Sequence, residues 1–228
     1  MLVQLLTHTP NPEQIVAAAA RLCYSDSSIE TLLGQEPHQT ARLVQKILEL
    51  GHHSVLEHAS FTFGIEGISR ACSHQLVRHR VASFSQQSQR YVSHAQPFAA
   101  VTPDSISAQP ALLERFNAHM QSTHAFYRDL INAGVPAEDA RFVLPNAAAT
   151  KLVMTMNVRE LHHFFGLRCC RRAQWEIRAM AREMLLLARQ ACPLLFAFAG
   201  PGCLKGPCPE GAMTCGEIVA VREEYAQL

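Results

Sequence analysis

Lysine is scarce in this chain: Lys46, Lys151 and Lys205 are the only three among twenty basic residues, and the other seventeen are arginine. An excess of one charge sign is lacking too, because 20 basic residues face 19 acidic ones for a formal net charge of +1. A general nucleic-acid or membrane-surface binder needs a basic field over a whole face, so that class is disfavoured. Aromatic residues make up only 7%, too few for the stacking platforms that RNA binders use. Charged residues reach only 17% against 48% hydrophobic, a balance that excludes a disordered chain. No apolar run is long enough for a membrane span. Residues Met1 to Pro10 lack the basic start and apolar core of a signal peptide. Eight cysteines without an export signal read as thiols or metal ligands rather than disulfides. A cytoplasmic protein is expected, and 228 residues suffice for one domain, 1–228, with a substantial core.

Several catalytic signatures are missing as well. Gly200-Pro201-Gly202-Cys203-Leu204-Lys205-Gly206 has the wrong spacing for a dinucleotide glycine loop and follows a helix, not a strand. His52, His53 and His58 lie near Glu57 but match neither zinc-protease spacing, so a ligand-facing loop or plain surface histidines are the better readings. A zinc deaminase needs P-C-x-x-C, and Pro207-Cys208 has no second cysteine two residues on. Cys203, Cys208 and Cys215 sit among glycines and prolines in a tail at about 200–216. With Cys169 or Cys170 their spacing allows a four-thiolate structural zinc site, for which Cys170, Cys203, Cys208 and Cys215 are the candidates. Free thiols are the alternative.

What is present begins with helices. Asn11-Pro12 reads as a helix start, with Ile15, Ala18, Ala19 and Leu22 on its apolar face. A second helix runs from about His38 to Leu50, with Leu43, Ile47 and Leu50 as its stripe and Gly51 as its cap. Ala59 to Glu66 alternates like a strand, and Ile68 to about His79 reads as a helix. Ser83 to Arg90 reads as a loop and Tyr91 to Pro110 as a connecting segment and mobile cover. A long helix over Ala111 to Asn132 carries Leu112, Phe116, Phe126 or Tyr127, and Leu130 at helical spacing. Pro136 opens a short helix bearing Arg141. Thr150 to Met156 is a predicted strand, Arg159 to Phe165 a short helix ended by Gly166, and Arg172 to about Phe198 the last long helix.

The densest chemistry lies between Arg78 and Tyr91. These fourteen residues hold three arginines, one histidine, three serines and no carboxylate. Guanidinium forks, hydroxyls and main-chain N–H groups together suit a phosphate ester. Gln75 lies three residues before Arg78 and four before His79, which puts an amide, a guanidinium and an imidazole on one helix face. Charges placed only to complement the helix dipole are the plain alternative for Arg78 and Arg80.

The run from Arg78 to Arg90 fits R-H-R-x-x-S, four residues, S-x-R, and resembles the signature of the flavin-dependent thymidylate synthases. Gly51-His52-x-Ser54-x-x-Glu57-His58, Ala140-Arg141-x-Val143-Leu144-Pro145, and Leu167-Arg168 leading to Ala173-Gln174-Trp175-Glu176-Ile177 are similar to that family in the same order. The resemblance spans residues from about 50 to 180. It implies an α+β fold, a central sheet with surrounding helices, and a homotetramer with active sites at subunit interfaces. It implies FAD as cofactor, NADPH as reductant, methylenetetrahydrofolate as carbon donor, and conversion of dUMP to dTMP without an enzyme cysteine attacking the uracil.

Carried over by position, His52, Ser54, Arg78, His79, Arg80, Asn157 and Arg159 would hold the flavin, with His163 standing where some members have asparagine. Gln75, Gln86, Ser88, Gln89, Arg90, Arg141 and Arg168 would bind dUMP, with Gln86 where many members carry glutamate. Arg168 and Ser88 would be catalytic, Arg168 by polarising the uracil and Ser88 beside the phosphate. The alternative function is a non-catalytic nucleotide- or RNA-binding module using the Arg/Ser segment.

Overall fold

The computed structural model describes residues 1–92 and 97–228. Part of the expected connecting segment, residues 93–96, lies outside the described residues. In chain order the elements are β1 (Leu2–His8), α1 (Pro12–Leu22), α2 (Ile29–Leu33), α3 (Pro37–Leu50), β2 (Ser60–Ser69), α4 (Arg70–Leu76), β3 (Ala82–Gln86), α5 (Asp104–Ser107) and α6 (Pro110–Asn132). They continue with α7 (Ala137–Ala140), β4 (Ala149–Asn157), α8 (Val158–Arg168), α9 (Trp175–Ala191), α10 (Pro193–Phe196) and α11 (Ile218–Ala226). The four strands form one antiparallel sheet in the order β1-β2-β4-β3, so the class is α+β. The chain groups into two compact units: Met1–Leu2, Ile65–Arg78 and Phe84–Val153 in the first, and Val3–Gly64, His79–Ser83 and Met154–Leu228 in the second.

The second unit holds the larger core. Alternation along β2 sends Phe61 and Phe63 inward, and both are fully buried. The Phe61 ring meets Phe196 edge-on at 5.1 Å, and Phe165 meets the same ring at 6.1 Å. Thr62 and Thr155 share a hydroxyl–hydroxyl hydrogen bond of 2.9 Å across β2 and β4, which marks their register. Helix α9 buries Ile177, Met180, Ala181, Met184, Leu185 and Ala188 at helical spacing. Ile65, Ile68, Leu76, Tyr127 and Leu152 are buried residues of the first unit.

Several local expectations shift. Segment 82–86 is the edge strand β3, not a loop: its backbone pairs with β4, which offsets a polar composition that carries little strand signal. Helix α8 continues through Gly166 to Arg168, because Phe164 and Phe165 are packed and one interior glycine costs only about 1 kcal/mol. Helix α9 begins at Trp175 rather than Arg172, since the Gln174 side chain accepts hydrogen bonds from the Glu176 and Ile177 N–H groups and caps it there. It ends at Ala191, before Pro193. In α1 the buried face is Val16, Ala17 and Ala18, and Leu22 is exposed. In α3 it is Val44, Ile47 and Leu48, while Leu50 is exposed; Gly51 caps the helix with φ 73° as expected. Strand β1 and helices α2 and α11 carry no signal strong enough to stand out from the sequence.

Candidate active site

The geometry of the second unit's polar centre follows from helix periodicity. Glu160, Phe164 and Arg168 are four residues apart on α8, so they share one face over about 12 Å of rise. His79 lies against that face. Its ring meets Phe164 edge-on at 5.0 Å. Its Nδ1 lies 3.0 Å from Glu160 Oε1, and Arg168 Nε donates to its Nε2 at 3.0 Å. A guanidinium N–H can only donate, so Nε2 is an acceptor and Nδ1 carries the proton given to Glu160. His79 is therefore a neutral linker between a carboxylate and a guanidinium. Burial lowers its pKa most; the hydrogen bond to Glu160 opposes this, and Arg168 and His163 add to the lowering.

Asn157 caps α8, its side-chain oxygen accepting from the Glu160 N–H at 2.8 Å. That fixes where the helix starts, and hence where Glu160 and Arg168 fall. His79, Glu160 and His163 are also the one group of three or more His, Cys, Asp or Glu side chains gathered within 4.8 Å among the described residues. With both nitrogens of His79 already bonded, the group reads as a hydrogen-bond centre rather than a metal site.

A cavity of about 780 Å³ in the second unit is lined by Asn157, Arg159, His163, His53, Phe198 and Lys205 among others. Arg159 pairs with Glu57 on its wall. His162 also lines it; its ring stacks on Phe196 at 5.6 Å and its Nε2 donates to the Leu195 carbonyl at 2.9 Å. Burial is the main cause that pushes His162 down to about 4. His52 and Ser54 do not line this cavity. They line another of about 970 Å³ in the same unit, beside Arg21, Arg42 and Lys46. Of the predicted flavin residues, Asn157, Arg159 and His163 thus line one hollow, His52 and Ser54 the other, and Arg78, His79 and Arg80 line neither.

The predicted dUMP residues gather in the first unit, except Arg168. Arg90 donates from Nε to Glu138 Oε2 at 2.9 Å, and Arg141 donates from Nε to the Glu138 carbonyl at 3.0 Å. One residue of α7 therefore holds both guanidinium groups. Arg70 stands near enough for the Arg141 charge to lower its pKa, second to burial. Ser88 Oγ accepts from the Arg90 N–H at 3.1 Å. Gln86 donates to Thr150 Oγ1 at 3.2 Å, so at this position its amide ties β3 to β4. Gln75 and Gln89 are partly buried, whereas Arg78 and Arg80 are exposed.

All eight cysteines are free thiols. Burial pushes Cys169 and Cys192 up to about 12, so both are protonated and inert as nucleophiles at neutral pH. Cys203 is buried and its pKa is raised by burial first and then by Cys208, Cys170 and Cys215. No three of the described cysteines lie within 4.8 Å of one another. Cys203 and Gly206 are held through their carbonyls by Arg222, and Arg171 pairs with Glu217 and Glu224.

Sequence reasoning passes over Glu160, Glu138, Arg70 and Lys205. For Glu160 a signal exists: Asn157 with an acid three residues on is a helix-start pattern. The pattern locates the helix but not the partner of the acid. Lys205 sits in the tail, which carries no motif.

Arg159 and Lys205 line one hollow and Arg21, Arg42 and Lys46 the other, so each offers cations to an anionic ligand. The chain's relatives narrow the class. Residues 4–194 match the family model described as "Thymidylate synthase complementing protein". The chain is 58% identical over 230 residues to the flavin-dependent thymidylate synthase of Geobacter sulfurreducens, covering 100% of this chain and 99% of that protein. It is 43% identical over 242 residues to the enzyme of the same name from Clostridium tetani, covering 98% and 96%. For the Pyrococcus furiosus enzyme of that name the identity is 45% over 217 residues, covering 91% and 89%. The chain belongs to the flavin-dependent thymidylate synthase family, and it is an enzyme.

Proposed function

We propose that this enzyme converts dUMP to dTMP, taking the carbon from methylenetetrahydrofolate and using FAD reduced by NADPH. The observation that carries the reading is the gathering of Arg90 and Arg141 on Glu138. Two guanidinium groups are held together at one place on the first unit, as a phosphate monoester requires. A flavin dinucleotide suits the cavity lined by Asn157, Arg159, His163 and Lys205. Its volume of about 780 Å³ falls in the usual range for cofactor sites, and Arg159 and Lys205 supply cations for phosphates. When bound, the flavin supplies the hydride. The chain supplies placement and charge: Arg90, Arg141 and Ser88 hold the phosphate, and Gln75, Gln86 and Gln89 frame the nucleoside. To Arg168 falls the stabilisation of negative charge developing on the uracil oxygen. Bringing the two ring systems together provides much of the remaining acceleration.

The proposal extends to a cytoplasmic homotetramer with active sites at subunit interfaces, which would join residues that one chain keeps in separate hollows. It is supported by α6, a helix of 23 residues on which only His124 and Tyr127 are buried. Phe126 and Phe142 are 53% and 83% exposed, an arrangement that a covering partner would explain. No described helix is long and apolar enough to cross a membrane. Sedimentation of the wild type and of a Phe126→Ser variant tests the assembly: a tetramer that dissociates on substitution is expected, and a monomeric wild type would contradict it. A structural zinc on Cys170, Cys203, Cys208 and Cys215 is supported by their sequence spacing alone, since no three of these thiols stand within 4.8 Å of one another. Metal analysis of the wild type beside Cys208→Ser tests it, one bound zinc lost in the variant being expected.

An absorption spectrum of the purified enzyme, followed by dUMP-dependent NADPH oxidation and dTMP formation, tests the activity itself. A flavin spectrum and stoichiometric dTMP are expected. Colourless protein that takes up no FAD would favour the nucleotide- or RNA-binding module instead.

A further inference from the structure

We propose that Glu160 is a positioning residue that acts on the uracil-facing guanidinium of Arg168 through His79. The inference rests on the role given to Arg168 above. Its physical basis is the fixed spacing on α8. Glu160 and Arg168 stand two turns apart, too far to meet, and the His79 ring bridges them across Phe164. His79 is 5% exposed and Glu160 is 8% exposed, so water competes little for either bond.

The carboxylate selects the tautomer. Glu160 can only accept while ionised, so it fixes the imidazole proton on Nδ1 and leaves Nε2 as an acceptor. An acceptor at Nε2 binds Arg168 through Nε and sets the plane of the guanidinium fork. Without the carboxylate the ring can carry its proton on Nε2 instead. That proton would point at the Arg168 N–H, and the bond would be lost. The Asn157 cap contributes by fixing the first turn of α8, from which both Glu160 and Arg168 are counted. This logic resembles a carboxylate orienting a histidine in a hydrolytic triad, with a guanidinium in place of the nucleophile.

The test is a pair of single variants with their double, in the flavin-loaded enzyme. Glu160→Leu, which leaves no acceptor for the Nδ1 proton, should lower kcat about tenfold, with KM for dUMP within about twofold and the flavin spectrum retained. His79→Gln should cost a similar factor, and the double variant should be no slower than the slower single. A wild-type rate for Glu160→Leu, or losses that multiply in the double, would overturn the proposal. If Glu160→Leu does not fold, nitrogen NMR of wild-type histidines decides, with His79→Gln assigning the signal. Protonation of His79 on Nδ1 is expected, and protonation on Nε2 overturns the proposal. The tautomer can be read whether or not the enzyme forms dTMP, so this failure is distinguishable from failure of the proposed activity.

Discussion

The two arginine centres of this enzyme solve opposite problems. In the second unit the His79 and Glu160 side chains are 3% and 10% exposed and make one fixed chain of bonds to Arg168. In the first unit the Arg90 and Glu138 side chains are 52% and 50% exposed. A buried link in a low dielectric is strong and holds one geometry. An exposed ion pair is weak, commonly about 0–1 kcal/mol, and can be exchanged for another anion. The buried centre suits a group that must be aimed, and the exposed one a group that must let a phosphate in and out. The helices repeat the contrast: α9 buries seven of its 17 residues, whereas α6 buries two of 23.

That contrast can be broken experimentally. The largest effect is expected for Arg168→Ala, a loss of turnover of about a hundredfold to a thousandfold, the usual cost of removing one donor to developing charge. Circular dichroism should show the fold kept; a normal rate would remove Arg168 from the mechanism. Met184→Ala, in the packed face of α9, should cost about 2–5 kcal/mol in denaturant unfolding. A loss below that range would mean α9 is less tightly packed than its burial indicates.

The pH dependence of stability follows from His162. Its folded value of about 4 lies below the unfolded value of 6.5. Between the two, the unfolded chain holds a proton that the folded chain excludes. Stability should therefore fall as pH drops from about 6.5 towards 4, by up to about 3 kcal/mol. The slope should flatten in His162→Phe, and an unchanged slope would assign the acid sensitivity elsewhere.

Arg90→Ala should raise KM for dUMP about tenfold to a hundredfold, matching a charged hydrogen bond of about 1.5–3 kcal/mol, with flavin binding kept. Unchanged dUMP affinity would contradict its assignment. The smallest effect is expected for Glu138→Gln, with stability changing by less than about 1 kcal/mol. A larger loss would show that the exposed centre is as rigid as the buried one.

Much of the fold was legible because local rules decide it. Pro12 and Gly51 mark helix ends, Phe61 and Phe63 alternate along a strand, and Gly134 closes α6 with φ 85°. Of the candidate site, the sequence carries residue types in a spacing, Arg78 to Arg90 and Arg168, and the resemblance drawn from them agrees with the family that the chain belongs to. Other features were not legible. Gly166 reads as a helix stop, yet packing of Phe164 and Phe165 carries α8 past it and so sets where Arg168 points. Nothing in the sequence joins His79 to Glu160 and Arg168, between which it is buried. Segment 82–86 becomes a strand only because β4 offers it an edge.

By itself, then, the sequence determined the residue types of this protein and their local order: arginine in place of lysine, a run of arginine and serine without a carboxylate, and helices punctuated by proline and glycine. These depend on residue type and near spacing, which the chain carries wherever it goes. Only the tertiary structure decided which arginine is held and which is open. Glu160 and His79 are separated by 80 intervening residues, and so are linked by folding rather than by any local preference.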